Sequence, residues 1–457
     1  MSAVVKQMAA KAPHPWLAAD HENYSAVTAA ISDPILKRPA GKLWWVAFII
    51  ASLCVFATIV AIGVLFTKGV GVWGVNTTIV WGYAIASYVW WIAIGSGGTL
   101  ISSMLLLTRQ RWRAATNRFA ETMTIFAVAI SGLFPILHLG RPQYFYWLAP
   151  YPNTMLLWPQ WRSALVWDFW AILSYLLFSI IFFYIGLLPD LATMRDRAQT
   201  TVRRVLYGIF ALGWRGSARH WRTYETFHKT MAALAVPLVV SVHSIVGLDF
   251  AASLMPGWQE SIFPPYFVVG ALYSGFATVV VLSALIRWGL RLEALITINH
   301  FDAMAKILLM ASIIMTFSYA SEWFTAWYAG SDADRSLVRY FFTGYYAPLF
   351  WLLLLFNCAL PQAFWFRTVR RNVLGVVAIC ILVDVGMWLE RILIIWNTLS
   401  HDYAQSMWRH FHPTLSDWVL LFGPLGLFAF FFLCYVRILP AVSMYETRKL
   451  CHDEGVA

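Results

Sequence analysis

Residues 134–170 read FPILHLGRPQYFYWLAPYPNTMLLWPQWRSALVWDFW. The stretch leaves one apolar run with His138 at its exit, crosses a loop rich in proline and aromatic residues, and enters the next apolar run with Asp168 near its start. Each flanking run approaches the roughly 20 residues that a helix needs to cross a bilayer. An imidazole and a carboxyl are therefore expected at the same end of two consecutive membrane helices. At that depth an ionisable group is costly unless paired or used, so both are candidate functional residues.

The rest of the chain fits this reading. Of 457 residues, 60% are hydrophobic and 12% charged, whereas soluble domains carry about a quarter charged residues. Apolar runs predict ten membrane helices near 43–66, 78–107, 119–139, 164–188, 229–252, 262–288, 303–328, 342–366, 372–397 and 416–439. The fold class is all-α integral membrane, with an N-terminal segment over 1–42 and a tail over 441–457. The first apolar run is too long for the core of a signal peptide.

A net charge of +11 would point a soluble protein toward nucleic acid. Here the basic residues sit in short connections, where they act as topology signals facing anionic lipid, and no nucleic-acid motif accompanies them. With the N-terminus inside, 26 of the 33 Lys and Arg fall at the termini and inner connections. Both termini are thus expected inside. The inner connection over 189–228 mixes arginines with aromatic residues and reads as an interfacial helix, or alternatively as a docking surface for a cytoplasmic subunit. The five cysteines are scattered without a C-x-x-C, so neither an iron–sulfur cluster nor a c-type haem is expected in this chain.

Placed by depth, His138, Asp168, Asp249, Glu322, Glu390 and Arg391 all fall in the outer third of the predicted spans. His243 and Asp384 each precede an outer acid by six residues, which is about 9 Å along a helix and about 240° around it. Neither shares a face with the acid above it. Taken singly, each acid reads as an ion pair or cap, as Glu390 with Arg391. Gathered toward one face, they read as a site that takes protons from a reduced, lipid-soluble substrate. Such chemistry needs a base, a carboxylate and an apolar slot, and the nearby Trp, Tyr and Pro offer flat walls. The run Gly95-Ser96-Gly97-Gly98-Thr99 reads first as close helix packing, and second as a source of proton-path hydroxyls at Ser96 and Thr99.

Three stretches carry a resemblance. HLGRPQYFYWLAPYPNTMLLWPQWRSALVWDFW, HSIVGLDFAASLMPGWQESIFPPYFVVGALYSGFA (243–277) and GMWLERILI (386–394) resemble the NrfD-like polysulfide reductase membrane subunits. Among these the similarity is nearest to the ActC-type quinol-binding subunit of bacterial alternative complex III. The resemblance implies two four-helix bundles, about 78–252 and 262–397, flanked by the first and last spans. It implies quinol oxidation at the outer side of the first bundle in a bacterial inner membrane, with menaquinone favoured over ubiquinone. His138 and Asp168 match the family's quinol site, and Asp249 and Arg391 follow on motif and depth. His243, Glu322, Asp384, Glu390, Ser96 and Thr99 would form a proton path. Implied partners are an iron–sulfur subunit, multihaem and monohaem cytochromes c, a homologous NrfD-like membrane subunit and a terminal oxidase.

Two other classes compete. A dihaem cytochrome b needs facing histidine pairs, and only the fifth span carries two, His228 and His243. A secondary transporter would place its polar residues near the midplane rather than near one face. A proton-conducting scaffold without its own quinol site is the remaining alternative.

Overall fold

The computed structural model describes Trp16, residues 23–151 and residues 158–453. Half of the expected N-terminal segment, part of the loop after His138 and the end of the tail lie outside the described residues. Among those described, ten helices are long and apolar enough to cross a membrane. Helix is the expected solution for such runs, because hydrocarbon offers no partner to backbone N–H and C=O groups.

A short helix α1 (Tyr24–Leu36) precedes the first span, α2 (Lys42–Lys68). The next spans are α3 (Gly82–Leu107), α4 (Asn117–Ser131) extended by the single turn α5 (Phe134–Leu137), and α6 (Ala164–Arg197). The expected interfacial segment forms α7 (Thr201–Phe210), which exposes Val202, Val205, Leu206, Ile209 and Phe210. Helix α8 (Ala218–Ala251) starts eleven residues before the expected span, carrying its charged first turns beyond the apolar run. Then come α9 (Phe263–Gly289), α10 (Ile298–Ala329), the connecting α11 (Asp332–Thr343) and α12 (Ala347–Leu354). Short α13 (Arg367–Arg370), the spans α14 (Val373–Leu399) and α15 (Leu415–Ile438), and α16 (Met444–Asp453) complete the chain.

Helices α3, α4, α6 and α8 pack around one another, and α9, α10, α12 and α14 form a second set. Helix α3 joins the two by packing on both α9 and α14, while α2 pairs with α15 at the periphery. Nearly every residue of α3 is buried, whereas α2 turns most of its side chains outward.

The α3–α9 contact depends on glycine. A Cβ on Gly97 would lie 2.4 Å from the Cα of Gly275, and one on Gly98 would lie 2.3 Å from the carbonyl oxygen of Ala120 on α4. The packing role expected of this segment is therefore what its backbone shows. Helix α12 continues through a π turn (Leu355–Ala359) and a 3₁₀ segment (Leu360–Trp365). There the carbonyl of Asn357 accepts from the Tyr273 hydroxyl at 3.0 Å and from Ser312 Oγ at 2.8 Å. These hydroxyls satisfy backbone that a widened turn would otherwise leave open.

At the end where α4 begins, buried charges fasten the helices. Arg118 donates to Asp190 at 2.9 Å and to the Gly186 carbonyl at 2.7 Å, while Ser102 Oγ donates to Glu121 at 2.6 Å. Helix α16 joins this cluster: Glu446 pairs with Arg113 at 2.8 Å and accepts from Asn117. Burial alone would raise the Glu446 carboxyl, but Arg113, His228 and Arg118 around it hold it below the usual carboxylate range. A depressed carboxylate stabilises above its unfolded pKa and loses that contribution only as pH falls through the folded value. Docking of α16 is therefore expected to be unchanged between about pH 7 and pH 5.5 and to loosen in stronger acid, as read by proteolysis of the tail. Asp190→Ala is expected to destabilise by about 3 kcal/mol, because it leaves the buried Arg118 with only the more distant Glu121 carboxylate at 4.0 Å as a charged partner. Gly97→Val should overpack the α3–α9 contact by about 1–3 kcal/mol. Thermal unfolding in detergent measures both.

Candidate functional site

At the other end of the first helix set, four chain segments converge on a cavity of about 290 Å³. Helix α3 contributes Trp81 from just before its start, and Ile85, Tyr88 and Val89 from its first two turns. His138 and Leu139 follow α5, Ala164 and Asp168 come from the first turns of α6, and Asp249 and Phe250 close α8. Trp258, from the connection to α9, completes the wall.

Local structure fixes each group. Ser163 is extended and precedes α6, and Trp167 Nε1 donates to the Trp161 carbonyl at 2.6 Å, which ties the incoming loop to the first turn carrying Asp168. His138 caps α5, with its backbone N–H bonded to the Phe134 carbonyl. Trp258 stands edge-on to Phe250 with ring centroids 4.9 Å apart, and its Nε1 donates to the Ile394 carbonyl of α14 at 2.6 Å. The roof of the cavity is thereby anchored to the second helix set.

Inside, Asp168 is 6% exposed and Tyr88 is 1% exposed. Tyr88 and Asp249 line the same cavity as the Asp168 carboxyl. The His138 ring sits 6.5 Å from that of Tyr88, centroid to centroid. A neutral imidazole at this position carries one nitrogen able to accept a hydrogen bond or a proton. His138 Nδ1, Tyr88 Oη, Asp168 Oδ1 and Asp249 Oδ1 are buried without a hydrogen-bond partner among the described residues. Polar atoms left unpaired at such a depth are a strong sign of an intended ligand or water. An apolar slot ending in two carboxyls, a phenol and an imidazole can take up protons from a flat hydroxylated ring.

The structure brings together three of the four expected binding residues, His138, Asp168 and Asp249. Arg391 does not line this cavity. It pairs with Glu390 at 2.5 Å and lies over the Phe267 ring at 4.3 Å from the centroid. Glu390 also accepts a hydrogen bond from Tyr319, which in turn accepts from Asn357 Nδ2 at 3.0 Å. The expected proton-path residues are spread more widely. Asp384 accepts from Thr278 at 3.1 Å within the second set, Thr99 meets Ser179 of α6 at 3.5 Å, and Ser96 Oγ is buried without a partner among the described residues. His243 is buried within α8 and Glu322 lies on α10; neither reaches the cavity lining.

Sequence reasoning missed Tyr88 and the indole walls Trp81 and Trp258. Trp258 lies within the quoted 243–277 motif, so a signal was present; Tyr88 sits in an aromatic-rich apolar run that gives it no distinguishing neighbour. Among the described residues, no group of three or more His, Cys, Asp or Glu side chains is arranged to hold a metal ion.

Comparison with known proteins agrees with this architecture. Residues 71–400 match the family described as polysulphide reductase, NrfD. The chain is 25% identical over 236 residues to a putative membrane subunit of dimethyl sulfoxide reductase from Halobacterium salinarum, covering 49% of this chain and 50% of that one. It is 23% identical over 239 residues to a subunit of the selenate reductase of Mesobacillus selenatarsenatis, covering 50% and 54%. The matches thus span about half the length of these curated relatives. With the family match covering both helix sets and every residue of the cavity, the chain belongs to the polysulphide reductase NrfD family of multi-pass membrane proteins.

Proposed function

We propose that this chain is the quinol-oxidising membrane subunit of a respiratory oxidoreductase complex, of the alternative complex III type. The observation that carries the reading is the cavity in which Asp168, Asp249, Tyr88 and His138 meet among apolar walls. Its volume of about 290 Å³ suits a headgroup ring, with a prenyl tail left to the bilayer. Oxidation of a quinol releases two electrons and two protons. In this reading one hydroxyl lies against His138 and the other against the Asp168–Asp249 pair, which accept the protons. The electrons leave for an iron–sulfur centre of a partner subunit, and onward to cytochromes c and a terminal oxidase.

The proposed setting is a bacterial cytoplasmic membrane, with both termini inside and the cavity near the outer face. The charge distribution supports that orientation, because most Lys and Arg lie toward the opposite end. Menaquinone is the proposed quinone. A second reading is favoured by the names of the relatives: the same site could feed a reductase of a sulfoxide or an oxyanion. The proteins that copurify distinguish the two, a sulfoxide- or oxyanion-reducing subunit in one case and multihaem cytochromes in the other.

In the purified complex, Asp168→Asn and His138→Ala are each expected to lower quinol oxidation by about 100-fold or more, the scale of acid–base catalysis. The set of assembled subunits should be unchanged. Tyr88→Phe keeps the wall but removes the hydroxyl, and should reduce the rate by about 10-fold. Undiminished activity in the Asp168 and His138 variants, with all subunits present, would reassign the chain to scaffold or proton conduction.

A further inference from the structure

At the end of the first helix set away from Asp168 lies a second cavity, of about 270 Å³, that the quinol reading does not use. It is formed by the end of α3, the turn before α4, the start of α8 and the last helix, α16. Five basic side chains line it, Arg109, Arg111, Arg113, Lys229 and Lys449, against two acidic ones, Glu225 and Glu446. Each acid already has a basic partner: Lys449 donates to Glu225 at 2.7 Å, and Arg113 pairs with Glu446 at 2.8 Å. Apart from these two pairs and from Arg111, Arg109 and Lys229 bring a surplus of positive charge to the lining. His228 is 5% exposed and lines the same cavity; its Nε2 has no hydrogen-bond partner among the described residues.

Arg109 provides a separate observation. Helix α3 ends with the Gln110 N–H bonded to the Leu105 carbonyl and the Arg109 N–H bonded to that of Leu106. This pair of bonds is the helix stop in which the penultimate residue turns left-handed and glycine is the favoured choice. The residue here is arginine, with φ of 54°. A side chain in that conformation costs about 1 kcal/mol relative to glycine. The strained position is occupied by a guanidinium that lines the cavity.

We infer that this cavity binds a phosphate-bearing anion, and that in the membrane the anion is the headgroup of an anionic phospholipid. Basic pockets between membrane helices near a bilayer surface suit such headgroups, and arginine matches phosphate oxygens in pairs. On the same two helices that line the cavity, Met104 and Leu107 of α3 and Phe227 and Leu234 of α8 are exposed apolar side chains, which offer contact for acyl chains. Helix α16 forms part of the wall, so a bound headgroup would also fasten the C-terminal helix to the first helix set.

The test is thermal unfolding of the full-length protein, purified in its complex in detergent, on addition of phosphatidylglycerol, phosphatidylcholine or inorganic phosphate. Phosphatidylglycerol is expected to raise the unfolding temperature more than phosphatidylcholine does. Inorganic phosphate reproducing the whole rise would assign the site to a free anion, while a rise needing the lipid assigns it to the headgroup. Arg109→Gly removes the charge while relieving the left-handed strain, so it should lose most of the lipid-dependent rise without lowering the unfolding temperature in lipid-free detergent. Lys229→Gln, at an exposed position, provides an independent second variant with the same expected loss. Arg219→Gln with Arg222→Gln, exposed on the same end but outside the cavity, should keep the rise. The inference is overturned if all three additives act alike, if the Arg109 and Lys229 variants keep the full rise, or if the control pair loses as much as they do.

Discussion

Ionisable side chains set among membrane helices are costly unless each is paired, hydrogen-bonded or used. The polar groups of this chain meet that constraint in three ways. Arg118, Asp190, Glu121 and Ser102 satisfy one another and, with Glu446 from α16, fasten the helices at one end. Glu390, Arg391, Tyr319 and Asn357 form a second group, linked to one another between α9, α10, α12 and α14. At the Asp168 end the pattern changes, because carboxyl, phenol and imidazole atoms face a cavity and lack partners among the described residues. The facing cavity is what separates this candidate site from the structural groups, because Arg118 Nε, Glu390 Oε1 and Arg391 Nε also lack hydrogen-bond partners among the described residues.

The packing explains how such a site stays open. Gly97 and Gly275 let α3 approach α9 at backbone distance, and α3 in turn carries Tyr88 and the first turns that form one cavity wall. The Trp258 indole reaches across to the Ile394 carbonyl, so the roof is held by the second helix set rather than by the loop alone. Glycine contacts set the spacing of the helices, and the indole fixes the lid. The second set supports the site without contributing its acids to it.

Much of this was legible in the sequence, for identifiable reasons. Ten spans follow from the length of the apolar runs, since a helix is the only economical way for such a run to cross lipid. His138 and Asp168 were recognisable because each interrupts an apolar pattern at a span end, and Asp249 because it falls at the matching depth. Helix α8 began earlier than expected because hydropathy marks the bilayer limit, not the helix limit, and residues 218–228 remain helical beyond it. Arg391 shared the depth of the site residues, but depth along the membrane does not give direction around a helix. Its side chain turned to Glu390 and Phe267 instead. Tyr88 left no signal, because a tyrosine in an aromatic-rich span looks like any other wall residue until its neighbours are known.

The most direct measurement is photolabelling of the purified complex with an azidoquinone, followed by mapping of the labelled peptides by mass spectrometry. Labels are expected within residues 81–89, 138–139, 164–168 and 249–258, and competition with excess quinol should remove them. Competable labelling confined instead to the apolar cavity of the second set, around Tyr319, Trp323 and Trp351, would contradict placement of the quinol site at the Asp168 end.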